Sequence, residues 1–319
     1  MLVISIVIVV AVVLCVKLYM KYITKWCKSK VCLVGKTVII TGGNAGIGYE
    51  TALELAKRGA KIILACRDVT KGTAAVENIK NLTKNPNVFL KLVDLSSFKS
   101  INNFANDINK TEERIDILIN NAGAWGLGDN MTEDGLQLVW EINHYGPVLL
   151  TLRLLELLKS TRPSRIINLS SMAARYATLS LNNLHELNTY QKDYEVYGNT
   201  KLANILFTQK LAKLLKDTQV SVFSVHPGVV ETEIVVQRLP FAMMYAMRVA
   251  MKLFFLSPEE GAQTTIYLAC EDGIEHLSGR HFEYCSVVDT YKTAKDPNLA
   301  DEVWNRTLEL IKYDKDKMN

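Results

Sequence analysis

The sequence predicts an α/β fold: a doubly wound parallel sheet with helices on both faces, preceded by one N-terminal transmembrane helix. Three observations carry this expectation. Short β-branched runs alternate with long helical patterns from residue 36 onward, a glycine-rich turn follows the first of those runs, and the chain begins with an apolar stretch. Strands that alternate with helices imply βαβ units and a parallel sheet covered on both faces.

Thr37-Val38-Ile39-Ile40 reads as the first strand, and a helix over residues 47–58 follows and closes at Gly59. Further strands are expected at 61–65, 88–93, 115–119, 165–169 and 220–225, with long helical segments at 135–158 and 196–215. No internal repeat or low-complexity linker interrupts this order. Residues 36–319 therefore read as a single domain, after an anchor over 1–20 and a basic linker over 21–35.

Composition narrows the classes open to the chain. With 49% hydrophobic and 22% charged residues among 319, there is ample material for a core. A formal net charge of +4 makes no case for nucleic-acid binding, which shows as a clustered basic face. The six cysteines form no Cys-x-x-Cys pair, too sparse for a disulfide scaffold and wrongly spaced for zinc, so no metal site is expected. Residues 2–16 are apolar apart from Ser5, and after Lys17 the run continues as Leu18-Tyr19-Met20. A spanning helix needs about 20 such residues, and Lys17 can snorkel toward a headgroup. The run lacks the positive start and small-residue cleavage site of a signal peptide. Its lysines come afterwards, at 17, 21, 25, 28 and 30. The positive-inside rule keeps that flank cytosolic, so the expected arrangement is an uncleaved single-pass anchor with the body facing the cytosol.

Thr41-Gly42-Gly43-Asn44-Ala45-Gly46-Ile47-Gly48 lies between the first strand and the first helix. Glycines there let the backbone approach a pyrophosphate, and the helix N-terminus offers free N–H groups. Far downstream, Tyr197 and Lys201 stand four apart in a helical stretch and so share a face. A nearby ammonium is expected to lower the tyrosine pKa from about 10 and fit it for proton exchange with a substrate oxygen. A serine at the end of the strand over 165–169, Ser170 or Ser171, is placed to hold that oxygen.

The Gly-x-x-x-Gly-x-Gly spacing, with Tyr-x-x-x-Lys and Asn120-Asn121-Ala122-Gly123, resembles the short-chain dehydrogenase/reductase family over nearly the whole chain. The resemblance implies a Rossmann fold and a nicotinamide-dependent oxidoreductase. It favours Ser171 over Ser170 and assigns Asn143 to a water between Lys201 and solvent. It places Asp94 and Leu95 beside the adenine and Asn121, Ala122 and Gly123 near the nicotinamide ribose. It sets Pro227 and Gly228 over the nicotinamide, with Thr232 on its carboxamide. Where the family carries an acidic residue for NAD, this chain has Arg67, followed by Lys71. Two cations suit a 2′-phosphate, so NADP(H) is the expected cofactor, although Asp68 leaves NAD open. His144 and His226 lack an acidic or cysteine cluster and are read as packing residues.

Within the family, Ala-Cys-Arg-Asp (65–68), residues 199–208 and Ser-Val-His-Pro-Gly-Val-Val (224–230) are similar to the membrane-anchored retinol dehydrogenases. That similarity implies retinal, retinol and related compounds as substrates, and the endoplasmic reticulum as the default membrane. Thr200 stands where that group more often has serine, and the 173–195 segment is longer than usual. Residues 239–256, apolar except Arg248 and Lys252 and carrying Met243, Met244, Met247 and Met251, form either a soft lid for a lipid-like substrate or a helix that packs or dimerises. The expected partners are thus a small lipophilic substrate and a membrane, with a homo-oligomer as the alternative use of that stretch. Other lipid carbonyls or steroids are alternative substrates, and a non-catalytic tethered scaffold is the alternative class.

Overall fold

The computed structural model describes residues 15, 19, 22, 24–182, 188–231, 251–252 and 254–314. Most of the expected anchor, Thr232 and most of the 239–256 stretch lie outside these residues. Among the described residues no helix is long and apolar enough to cross a membrane.

The β-branched run Thr37–Thr41 forms β1, buried along its whole length. The glycine turn leads into α1 (Gly46–Lys57), which gives way at Gly59, held at φ +88°. β2 (Lys61–Cys66), α2 (Val69–Thr83), β3 (Val88–Leu92), α3 (Phe98–Thr111) and β4 (Ile117–Asn120) complete the first half. Asp68 and Ser97 start α2 and α3 by accepting the N–H groups of Lys71 and Ser100. The second half runs α4 (Gly146–Arg153), α5 (Leu155–Thr161), β5 (Ser164–Leu169), α6 (Asp193–Leu214), β6 (Val220–His226), α7 (Pro258–Cys270), β7 (His281–Glu283), β8 (Ser286–Val288) and α8 (Pro297–Leu310).

The eight strands form one sheet in the order β3-β2-β1-β4-β5-β6-β7-β8. All neighbours are parallel except β7 and β8, an antiparallel hairpin whose two turn residues, Tyr284 and Cys285, have φ +47° and +55°. Alternate residues feed opposite faces, as the two-residue period of a strand requires. Ile39, Ile63, Leu118, Ile166 and Val222 enter one core, and Val38, Ile40, Ile62, Leu64, Ile119 and Phe223 enter the other. The strand order reverses between β1 and β4, so the carboxyl ends of β1 and β4 flank the crevice where ligands bind in such sheets.

The helix expected over 135–158 is broken, which corrects that reading. Met131 bridges back to Gln137, and Gly135 sits at φ +76°. A short helical turn (Leu138–Trp140) then passes into a π turn (Glu141–Tyr145), in which the Gly146 N–H reaches back to the Glu141 carbonyl. Pro147 explains the break: it has no N–H to offer the carbonyl four residues earlier, that of Asn143. The freed Asn143 carbonyl accepts the Asn204 amide at 3.0 Å. Periodicity alone also missed β7 and β8, three residues each.

At the base of the sheet Asp116 accepts the Thr37 N–H at 2.9 Å, Arg114 at 2.8 and 2.6 Å, and Lys36 at 3.0 Å. Burial alone would raise its pKa. The hydrogen bonds from Arg114, Thr37 and Lys36 together outweigh burial and hold the carboxyl below its ordinary value. A depressed carboxylate contributes stability above its unfolded pKa and loses it as the pH falls. Asp116→Asn should therefore cost about 2 kcal/mol of unfolding free energy at neutral pH, with the deficit closing below about pH 4. Urea denaturation of both proteins across that range checks this; a deficit independent of pH would contradict it.

Candidate active site

The C-terminal ends of the strands gather the residues expected to act. Gly42, at φ +65°, turns the chain away from β1. A side chain there would press on Ala122, and one at Gly48 would meet both the Asn121 amide and the Gly42 carbonyl. The space is used by Asn121, whose Nδ2 donates to the carbonyls of Thr41 (2.9 Å) and Gly42 (3.3 Å). Thr41 Oγ1 returns the link by accepting the N–H groups of Asn121 (2.9 Å) and Ala122 (3.0 Å). The glycine turn and the Asn-Asn-Ala-Gly turn are therefore one bracket. Gly43 packs on Leu64. Ala45 begins α1 without a side-chain cap, and the first turn of α1 holds no acidic residue. The helix thus presents Gly46, Ile47 and Gly48 N–H groups and a positive dipole end to the crevice.

Arg67 and Lys71 lie just beyond β2, both exposed and, among the described residues, without an ion-pair partner. Asp68, between them, is committed to capping α2. Past β3, Asp94 Oδ1 accepts the Ser96 N–H (2.9 Å) and hydroxyl (2.6 Å). The Leu95 carbonyl packs so closely on Gly146 that no Cβ would fit between them.

Ser171, Tyr197 and Lys201 converge beyond β5. The Ser171 side chain faces the Tyr197 phenol, near enough to favour its ionisation. Lys201 Nζ sits 5.5 Å from the centre of the Tyr197 ring and donates to the Leu169 carbonyl at 3.3 Å. Ser170 is turned away, its hydroxyl bonded to the Lys201 carbonyl at 2.8 Å, which leaves Ser171 as the serine facing Tyr197. Asn143 stands one layer back. Its side chain accepts the Ala124 N–H (2.7 Å) and donates to the Ala124 carbonyl (2.9 Å) and the Thr200 hydroxyl (3.1 Å).

The electrostatics differ from the sequence expectation. Burial raises the Tyr197 pKa, and the Ser171 side chain only partly offsets it. Burial also lowers Lys201 to about 8. Both shifts disfavour the charged form, because burial strips each group of the hydration that stabilises its charge. Tyr197 accordingly holds its proton at neutral pH, and Lys201 keeps its charge only below about pH 8. The helix also begins at Asp193, one turn earlier than expected, which moves its N-terminus away from Tyr197.

Several supporting residues had no sequence signal. Asn199 Oδ1 accepts the N–H groups of Thr178 (2.9 Å) and Leu179 (3.0 Å), pinning the segment after Ser171 to α6. His226 Nδ1 accepts the N–H of Met172 at 3.2 Å, so it does more than pack; burial lowers its pKa to about 4 and keeps it neutral. His144 is buried between Asn204 and Thr307, 2.9 Å from each. Gly228, at φ +89°, lies against Leu256 and Tyr284, while Thr232 is outside the described residues. Among the described residues no group of three His, Cys, Asp or Glu side chains could hold a metal ion.

The family profile described as short chain dehydrogenase matches residues 36–241. The chain belongs to the short-chain dehydrogenase family. Mouse retinol dehydrogenase 11 is 42% identical over 288 residues, covering 89% of each chain. Human retinol dehydrogenase 12 is 40% identical over 285 residues, again 89% of each. A crystal structure of an uncharacterized protein from Mycobacterium paratuberculosis shares 29% identity and a TM-score of 0.71, over 91% of this chain and 98% of that one. The NADP active-site complex of RhlG from Pseudomonas aeruginosa shares 25% identity and a TM-score of 0.62, over 79% and 95%. As a short-chain dehydrogenase this protein is an oxidoreductase that binds a nicotinamide cofactor.

The residues present fit such a cofactor. The uncapped N-terminus of α1 and the glycine cradle around Asn121 suit a pyrophosphate. Gly48→Ala should force Asn121 out of the bracket and weaken dinucleotide binding about tenfold, or about 1.4 kcal/mol. Calorimetric titration on the folded variant checks this; unchanged affinity would show that the bracket does not shape the site.

Proposed function

We propose that this short-chain dehydrogenase uses NADP(H) to interconvert a lipophilic alcohol and its aldehyde or ketone, with retinol and retinal the first pair to test. The observation that carries the reading is the meeting of Ser171, Tyr197 and Lys201 at the ligand edge of a sheet whose second strand is followed directly by Arg67. Relatives at about 40% identity named retinol dehydrogenases support the substrate class. Arg67 and Lys71, without an ion-pair partner among the described residues, support NADP(H), since two exposed cations suit a 2′-phosphate.

A bound nicotinamide supplies the hydride, or accepts it. The chain supplies the rest. Ser171 holds the substrate oxygen by a hydrogen bond. Tyr197, kept protonated by burial, donates its proton to that oxygen as negative charge builds on it during reduction, and takes it back during oxidation. The Lys201 ammonium stabilises the phenolate left behind, and at this separation in a desolvated site its effect is stronger than in water. Asn143 fixes the Ala124 backbone beside the site and, through Thr200, the helix turn between Tyr197 and Lys201. Reduced cofactor in the cytosol favours carbonyl reduction as the working direction. The apolar N-terminal run followed by lysines supports a single-pass anchor in the endoplasmic reticulum with the body facing the cytosol.

Tyr197→Phe should lower kcat by about 100-fold or more while dinucleotide binding is kept; equal turnover in both proteins would remove Tyr197 from the chemistry. The substrate is read from a panel of retinal, fatty aldehydes and steroids with each cofactor. Absence of retinal turnover would replace the substrate and leave the chemistry. Arg67→Asp should shift the ratio of kcat/KM for NADPH over NADH toward NADH by about tenfold, or about 1.4 kcal/mol. An unchanged ratio would count against a phosphate contact at Arg67.

A further inference from the structure

Residues 24–33, expected as part of a linker, are a strap packed along the full height of the domain. From Cys27 onward the chain alternates: Cys27, Ser29, Val31 and Leu33 turn inward, while Lys28, Lys30 and Cys32 are exposed. That two-residue period belongs to an extended chain with one face packed. Leu33 is part of the apolar core on one side of the sheet, and Cys27 and Val31 pack against that core.

The strap has a direction. Lys25 is held at the β7–β8 turn, where its Nζ donates to Ser286 Oγ at 2.8 Å and its carbonyl accepts the Cys285 thiol at 3.4 Å. Glu283 pairs with His226, so this turn stands at the ligand edge of the sheet, beside the His226-Pro227-Gly228 loop. Below it, the Cys27 N–H donates to Gln263 Oε1 (3.1 Å) in the first half of α7, and Ser29 Oγ donates to the Cys270 carbonyl (3.1 Å) at the end of α7. Arg58 then donates to the Ser29 carbonyl at 2.7 Å, and the Leu33 N–H donates to the Arg58 carbonyl at 2.8 Å. The strap thus descends to the base, where β1 begins.

Thr24 and Lys25 therefore stand at the ligand edge, and the apolar run of residues 2–16 lies only a few residues earlier in the sequence. At the same edge Tyr22 is 86%, Trp26 47% and Phe254 38% exposed, with Lys25 and Lys252 exposed as well. Tyr284, in the β7–β8 turn, links this edge to the site: its ring borders Gly228. Aromatic rings mixed with lysines suit the headgroup level of a bilayer with anionic lipids.

We propose that the strap holds the ligand edge of the sheet against a lipid bilayer, so that a lipophilic alcohol or aldehyde passes between the bilayer and Tyr197 without crossing bulk water. The occupant of this surface is the bilayer into which the preceding apolar run inserts. The proposal rests on the anchor and on the lipophilic substrate class of the proposed function. It adds the orientation of the domain, which a free linker over 21–35 would leave unset.

The full chain, reconstituted in phosphatidylcholine–phosphatidylserine vesicles, tests it in two ways. Tryptophan placed by Phe254→Trp at the ligand edge should be quenched by acyl-brominated phosphatidylcholine, after subtraction of the parent signal, and tryptophan placed by Glu113→Trp at the base should not. Equal quenching at both positions, or none at 254, overturns the orientation. A Gly-Ser spacer of about 20 residues inserted between residues 23 and 24 should cut turnover of vesicle-dissolved retinal about fivefold or more, because it dilutes the site away from the bilayer. Turnover of a short water-soluble aldehyde should stay within about twofold, since that substrate does not depend on the tether. Equal loss with both aldehydes, or no loss with either, overturns the proposal. If the parent turns over neither aldehyde while the quenching pattern holds, the proposed substrate class fails and the orientation stands.

Discussion

One side-chain amide fixes the geometry from which the site is built. Asn121 bonds to the carbonyls of Thr41 and Gly42, and Thr41 bonds to the N–H groups of Asn121 and Ala122. These contacts tie the carboxyl ends of β1 and β4, the strands between which the sheet order reverses. The bracket forms only because positions 42 and 48 carry no side chain. Replacing either glycine does not merely crowd a ligand; it removes the contact that sets the spacing of the crevice.

A second buried network carries that order to the far side of the site. Asn120 donates to Asn168 at 2.8 Å, and Asn168 donates to Thr208 at 2.9 Å, so β4, β5 and α6 are keyed together by amides. Asn204 then reaches the carbonyls of Asn143 and Leu169 and the ring of His144. Buried polar groups of this kind are costly if left unpaired, so a chain bonded throughout except at Asn120 Oδ1 admits few alternative packings. Lys201 lies inside this network, and the Leu169 carbonyl accepts from both Lys201 and Asn204. The position of the ammonium under Tyr197 is thus set by β5 as much as by the four-residue spacing on α6.

The parts legible in the sequence were those fixed by local rules. Strand periodicity placed β1 to β6 to within two residues, and the glycine turn and the Tyr197–Lys201 pair were found by spacing. The parts that were not legible depend on what packs from afar. Apolar periodicity persists through Pro147 and predicts one helix over 135–158, yet the missing N–H diverts the backbone into a π turn. The strap over 24–33 is basic in composition and looked like a linker; its inward face of Cys27, Ser29, Val31 and Leu33 is recognisable only once α7 and the β7–β8 turn are known to lie beside it. Asn199, Asn204 and His226 act through long-range bonds that leave no repeat or spacing to read.

The reversed shift at Tyr197 follows from the same limitation. Spacing gives the separation of the phenol and the ammonium but not the dielectric around them. At 5.5 Å from the ring centre Lys201 favours phenolate, but burial penalises both charges, and in the chain by itself burial wins. A carboxylate beside Lys201 would hold the ammonium charged; the groups it does meet are the Leu169 carbonyl and the Tyr197 ring. The pair therefore rests at neutral pH with the phenol neutral and the ammonium charged, a charge it keeps only up to about pH 8. Charge that develops on a substrate oxygen next to Ser171 changes that balance, since moving the Tyr197 proton onto it leaves a phenolate that the Lys201 cation can then stabilise. A site that disfavours separated charge at rest and accommodates it during proton transfer directs its electrostatics to the reacting state, which is why the burial that raises Tyr197 suits proton donation to a carbonyl.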